Sequence, residues 1–134
     1  MRVVRVAEVE FLTYGPNKLF DVTGRLRELA EGVREGFLAV TAQGSTGALV
    51  VLPPDAIEEF ERRLWELVPV YGWRHPGNAY AHLRSTLIGT NIVIPVEGGE
   101  LKLPRGAAVY FLENQATYNR RRKLVVSVVE SSEG

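Results

Sequence analysis

Only two histidines occur in this chain, His75 and His82, and a Pro76-Gly77 turn lies between them. Such a turn lets the chain double back and bring both imidazoles to one place, where neutral rings move protons or bind a metal. A carboxylate from a later strand, Glu113, would raise a metal set to three donors, His75, His82 and Glu113, enough to hold a divalent ion such as Mg or Zn. Asn78 stands where a helix begins, and a helix start carries unpaired N–H groups and partial positive charge that attract anions. Arg74, Arg84, Ser45 and Thr46 add side-chain donors, so the set describes a site for the phosphate or pyrophosphate of a small phosphorylated molecule. Plainer roles exist for each. His82 can pack or cap, His75 can sit in a solvated loop, Arg84 can lie on an exposed helix surface, and Ser45-Thr46 between glycines suits a tight turn.

The rest of the composition removes alternatives. With no cysteine there are no disulfides, thiolate nucleophiles or thiolate zinc sites, so any chemistry falls to hydroxyls, carboxylates, the histidines and the backbone. Lys plus Arg and Asp plus Glu both total 16, so no global field draws the protein to nucleic acid or anionic lipid. Arg120-Arg121-Arg122-Lys123 is the one dense basic run, and without aromatics interleaved it reads as a solvated turn. No apolar run approaches a membrane span, and Met1-Arg2-Val3-Val4-Arg5 has no signal-like apolar core, which leads us to expect a cytoplasmic protein. At 134 residues and 46% hydrophobic, with no shift in composition, a single domain over 1–134 is expected.

The elements that must position these groups follow from periodicity. Alternation from Val3 to Phe11 predicts a half-buried strand. Asp21 and Thr23 offer caps for a helix whose apolar residues Leu26, Leu29, Ala30 and Val33 repeat at helical spacing, with Gly36 as its terminator. Phe37–Ala42 and Ala48–Leu52 read as two strands of a hairpin. Asp55 and Glu58 have capping-box spacing ahead of a second helix carrying Ile57, Phe60, Leu64 and Leu67 on one face and ending at Pro69. Arg74–Gly77 is a turn, Asn78 caps a third helix over Ala79–Ile88, and Gly89 closes it. Strands follow at Asn91–Val96, Glu100–Leu103, Ala107–Glu113 and Lys123–Val129. Several connections are too short for crossover helices, so the class is α+β, a mixed and largely antiparallel sheet with helices packed on it. Pro95 places its strand at an edge or on a bulge, whereas the nearly continuous apolar run Leu124–Val129 suits a central strand or a subunit contact. Trp65 and Trp73 bracket the end of the second helix as packing residues.

The segment Gly77-Asn78-Ala79-Tyr80-Ala81-His82-Leu83-Arg84, closed by Gly89, resembles the Asn-Ala-x-Ala-His-Leu-Arg helix of the YjbQ-like family. Ile94-Pro95-Val96, Gly99-Glu100-Leu101-Lys102-Leu103, Glu113 and Phe20-Asp21-Val22-Thr23 are similar to further stretches of the same pattern, so the resemblance spans nearly the whole chain. It implies a homotrimer with sites near subunit boundaries and secondary thiamine-phosphate synthase activity. In that activity a pyrimidine methyl pyrophosphate and a thiazole phosphate are joined with release of pyrophosphate. Carried over, Asn78, His82 and His75 are the catalytic candidates, and Ser45, Thr46 and Arg84 the substrate-binding ones. The departures are specific: Gly44-Ser45-Thr46-Gly47 stands in place of His-Thr-Thr-Ala, Leu52-Pro53 in place of Asn-Glu, and Pro104-Arg105-Gly106-Ala107 in place of Gly-Thr-Trp-Gln. These losses define the alternative, a trimeric module that binds a phosphorylated ligand without chemistry.

Overall fold

Two antiparallel sheets face each other across the main core. The computed structural model describes residues 2–69 and 78–131. In chain order the strands are β1 (Arg2–Thr13), β2 (Lys18–Asp21), β3 (Glu35–Ala42), β4 (Gly47–Leu52), β5 (Asn91–Glu97), β6 (Glu100–Leu101), β7 (Ala108–Glu113) and β8 (Arg120–Glu130). The helices are α1 (Thr23–Ala30), α2 (Ile57–Leu67) and α3 (Ala79–Ile88), with a single 3-10 turn at Pro54–Ala56 ahead of α2. One sheet has the order β1-β8-β3-β5-β6 and the other β2-β7-β4. The α+β class holds, and each ladder is antiparallel.

Period-two alternation sorts the side chains. Leu124, Val126 and Val128 of β8, Leu38 and Val40 of β3, and Ile94 and Val96 of β5 point inward, where they meet Leu49, Val109 and Phe111 of the smaller sheet and Leu26 and Ala30 of α1. Each of the larger side chains contributes about 1.5–3 kcal/mol by leaving water. The opposite face of the smaller sheet carries Ala48 and Leu112, which α2 and α3 cover with Leu64, Phe60 and Ile88. The smaller sheet is therefore covered on both sides. The outward face of the larger sheet is not: Val6 and Val93 are 61% and 64% exposed, in one cross-strand row with Ser127 and Ala39.

β8 lies between β1 and β3, as its apolar run predicts. β5 pairs with β6 at Val96 and Glu97, and the Lys102 N–H donates to the Pro95 carbonyl at 2.8 Å, so among the described residues the open edge of β5 is residues 91–94, ahead of Pro95. Other expectations are corrected. α1 ends at Ala30, and the chain turns at Gly32 with φ +84°, while Gly36 belongs to β3. Phe37–Ala42 and Ala48–Leu52 do not pair as a hairpin, because β3 and β4 belong to different sheets. Asp55 sits in the 3-10 turn, and α2 starts without a side-chain cap. The short strand β2, missed in the sequence, follows the cis Gly15-Pro16 peptide and pairs with β7. Asp21 does serve the start of α1: its Oδ1 accepts the Thr23 N–H at 2.9 Å, and the Thr23 hydroxyl accepts the Val109 N–H at 2.8 Å.

Candidate functional site

Three segments meet at one end of the two sheets: the β3–β4 loop (43–46), the stretch after β7 (114–116) and the first turn of α3. Gln115 links the first two, its Oε1 accepting the Thr46 hydroxyl at 3.2 Å. Ala116 links the second and third by donating its N–H to the Tyr80 hydroxyl at 3.0 Å. α3 is further tied to β4, since the Ser85 hydroxyl donates to the Gly47 carbonyl at 2.6 Å and Leu49 N–H donates to the Gly89 carbonyl. Gly47 is required there: a Cβ would lie 2.2 Å from the Phe111 ring.

Behind this corner lies a buried ionic cluster. Glu113 at the end of β7 is 0% exposed and Arg122 of β8 only 3%. Arg122 grips the carboxylate with two nitrogens, Nε donating to Oε1 at 2.7 Å and Nη2 to Oε2. This is a planar two-point fit that places both charges in fixed register. Nη2 also donates to Thr46 Oγ1 at 2.7 Å, Thr13 donates its hydroxyl to Glu113 Oε1 at 2.5 Å, and Gln115 N–H donates to Oε2. Phe111 lies under the guanidinium, 5.4 Å from its carbon to the ring centre. Between Glu113 and Gln115, the fully buried Asn114 amide has no hydrogen-bond partner among the described residues for either polar atom.

Arg84 forms a separate clasp. Its guanidinium is completely buried, donating to the Val68 and Leu64 carbonyls and, at 2.8 Å, to Asn17 Oδ1. Asn17 holds a φ of +65° and donates its amide to the Glu61 carbonyl, so the clasp fastens the β1–β2 loop to α2 and α3. Trp65 and Tyr80 both lie 5.3 Å from the guanidinium carbon. Desolvation lowers the Arg84 pKa from the usual arginine value, and Tyr80 partly offsets that effect.

The predicted residues sort as follows. Asn78 is the residue before α3, and its side chain makes no capping bond. His82 is partly buried on the same helix. Ser45 is exposed in its loop, whereas Thr46 is turned inward onto Arg122 and Gln115. Arg84, expected to hold phosphate, instead spends its N–H groups on backbone carbonyls and Asn17. Glu113, expected to join a metal set, has both oxygens taken by Arg122, Thr13 and Gln115. His75 and Arg74 lie outside the described residues, as does Trp73. Among the described residues no group of three His, Asp or Glu is placed to hold a metal ion. Arg122 is the functional candidate that sequence reading overlooked. The basic run belongs to β8, and Arg122 shares the inward parity of Leu124 and Val126. At the departures from the family pattern, Leu52 ends β4, and Gly106, with φ +74°, sits in the turn before β7.

Fold and site together define a two-sheet α+β protein with a polar corner where a loop, a strand end and a helix start converge. The chain belongs to the YjbQ-like UPF0047 family, whose model, described as UPF0047 protein YjbQ-like, matches residues 7–131. A UPF0047 protein of Archaeoglobus fulgidus is 33% identical over 110 residues, 78% of this chain and 86% of that protein. One from Methanothermobacter thermautotrophicus is 30% identical over 118 residues, 82% of each. Among solved structures, the hypothetical protein APE1520 from Aeropyrum pernix K1 superposes with a TM-score of 0.85 at 28% identity, covering 96% of this chain and 100% of that one. A YbjQ-like protein of unknown function from Sulfolobus solfataricus P2 shares the fold, with a TM-score of 0.84 at 22% identity over 95% of this chain and 99% of the other. Among the described residues no helix is long and apolar enough to cross a membrane.

Proposed function

We propose that the protein binds a small phosphorylated molecule at the corner where the β3–β4 loop, residues 114–116 and the start of α3 meet. The observation that supports this is the bonding of the middle segment to both neighbours, through Gln115 to Thr46 and through Ala116 to Tyr80. Exposed Ser45, the Asn78 side chain and the N–H groups of α3 ahead of Ala81 are the donors such a ligand would meet. Titration calorimetry with phosphate, pyrophosphate and thiamine phosphate should register binding of the phosphorylated ligands. Absence of heat with all three rejects the reading.

Secondary thiamine-phosphate synthase chemistry is the second reading, favoured by the match of Asn78 through Arg84 to the family helix. In it the carbon–oxygen bond to pyrophosphate breaks as the thiazole nitrogen bonds to the same carbon. The protein's task is then to align two phosphorylated partners and stabilise the departing anion, assisted by a divalent ion. His82, with His75, would donate a proton to the departing pyrophosphate or face that ion. Pyrophosphate release measured with both substrates, with and without Mg, distinguishes the readings. Turnover abolished by His82→Ala supports catalysis, and binding without turnover supports the module. The first reading leads because Arg84 and Glu113 are committed to internal bonds and Gly44, Leu52 and Gly106 replace the family's polar and aromatic groups.

A homotrimer completes the proposal. The outward face of the larger sheet presents Val3, Val6 and Val93 beside Phe37, Val125 and Val129, and residues 91–94 of β5 form an open edge among the described residues. Apolar surface of this kind is commonly buried between subunits, and a closed threefold ring would let one copy complete the site of the next. Light scattering at micromolar concentration should return three times the 14.9 kDa chain mass, and the mass of one chain would refute the trimer.

A further inference from the structure

We infer that Arg122, through Nη1, donates to the bound phosphoryl group and that glycine at position 44 is what leaves that nitrogen open. The inference rests on the phosphate-binding reading of the corner and assigns a residue to it. Two of the three guanidinium nitrogens are spent internally: Nε on Glu113, and Nη2 on Glu113 and Thr46. Nη1 has no hydrogen-bond partner among the described residues. Arg122 is 3% exposed, and Nη1 faces the β3–β4 loop at Gly44. Its direction is fixed by the bonds of Nε and Nη2, and it points at Gly44, whose φ is +105° and where an added Cβ would lie 3.3 Å from Nη1.

Any side chain at position 44 would stand on that nitrogen. The family pattern has histidine at this place, and this chain has glycine instead. The result is a guanidinium held rigidly by its carboxylate, with one edge presented at the mouth of the loop that carries Ser45. A preorganised cation of this kind loses little freedom when it meets an anion, and its planar N–H groups fit phosphoryl oxygens. The charge of Glu113 offsets that of Arg122 overall, so recognition depends on the directed Nη1 hydrogens. The ligand class that fits is a terminal phosphate or pyrophosphate small enough to enter beside Ser45.

Inorganic pyrophosphate is the probe. Gly44→Asp places a carboxylate against Nη1, Gly44→Asn fills the same space without charge, and both carry the same backbone strain of φ +105°. Both should bind pyrophosphate at least tenfold more weakly than the wild type, with the Asp variant the weaker. Equal binding by wild type and folded Gly44→Asp overturns the role of Nη1 while leaving phosphate binding intact. Failure of the wild type itself to bind overturns the underlying reading instead. For the case in which the variants do not fold, the guanidinium proton–nitrogen resonances of Arg122 in the wild-type protein decide the matter. They should shift on pyrophosphate titration, and unchanged signals at saturation reject the inference.

Discussion

Glu113→Ala should destabilise the protein by about 3–5 kcal/mol, the usual cost of removing one partner of a buried ion pair. The cost comes mainly from what is left behind. Arg122, 3% exposed, would keep its charge in the core without its carboxylate, and the Thr13 hydroxyl and Gln115 N–H would each lose an acceptor. Against a typical total of about 5–15 kcal/mol this is a large fraction. Urea denaturation of the single variant measures the loss. The Glu113→Leu/Arg122→Met double variant should recover much of it, because apolar groups of similar volume leave no buried charge unpaired. A single-variant loss below about 1 kcal/mol would show that the pair does not hold β7 to β8 and the Thr46 loop.

The legible part of the fold is the part that repeats locally. β1, β5 and α1 are readable because alternation or helical spacing reflects one buried face, and β8 because a nearly continuous apolar run marks a central strand. Pairing was not readable. β3 and β4 are adjacent in sequence, joined by a glycine-rich stretch that suits a hairpin, yet β3 pairs with β5 and β8, and β4 with β7. Those partners lie far along the chain, and nothing in the loop encodes them.

The candidate site shows the same division. Asn78 and the helix carrying His82 were placed by their motif, and α3 begins where the cap was expected. Charge does not mark exposure at this site. Arg84 and Arg122 are both buried, each held by fixed acceptors, carbonyls in one case and a carboxylate in the other. The available signal was parity: Arg122 falls two residues before Leu124 and four before Val126 in a strand with one apolar face. Glu113 likewise follows the inward-facing Phe111 by two. Matching parity on two strands at the rim of a core marks an internal pair, although only the fold puts the two strands side by side.

Substitution of Gly36 is expected to have the second large effect on stability. The glycine was expected to end α1 through a left-handed conformation, but the helix stops earlier and Gly36 sits in β3 opposite Val96 and Glu130. The need for glycine is steric: an added Cβ would lie 2.0 Å from the Val129 carbonyl oxygen and 2.9 Å from the Glu130 Cα. Both are backbone atoms of β8, which is bonded to β1 on one side and β3 on the other, so the obstruction cannot rotate away as a side chain would. Relief would require parting β3 from β8 at the end of their ladder, with loss of hydrogen bonds that leaves amides and carbonyls unpaired. Gly36→Ala should therefore cost on the order of 3 kcal/mol, the upper part of the usual overpacking range, even though alanine in a strand is intrinsically no worse than glycine. Gly98→Ala is the matched control, since Gly98 has open space around it and only the strain of φ +60° to meet. Thermal or urea unfolding should rank Gly36→Ala clearly below Gly98→Ala, and equal midpoints would show that β8 yields at this position and that the glycine there is not sterically required.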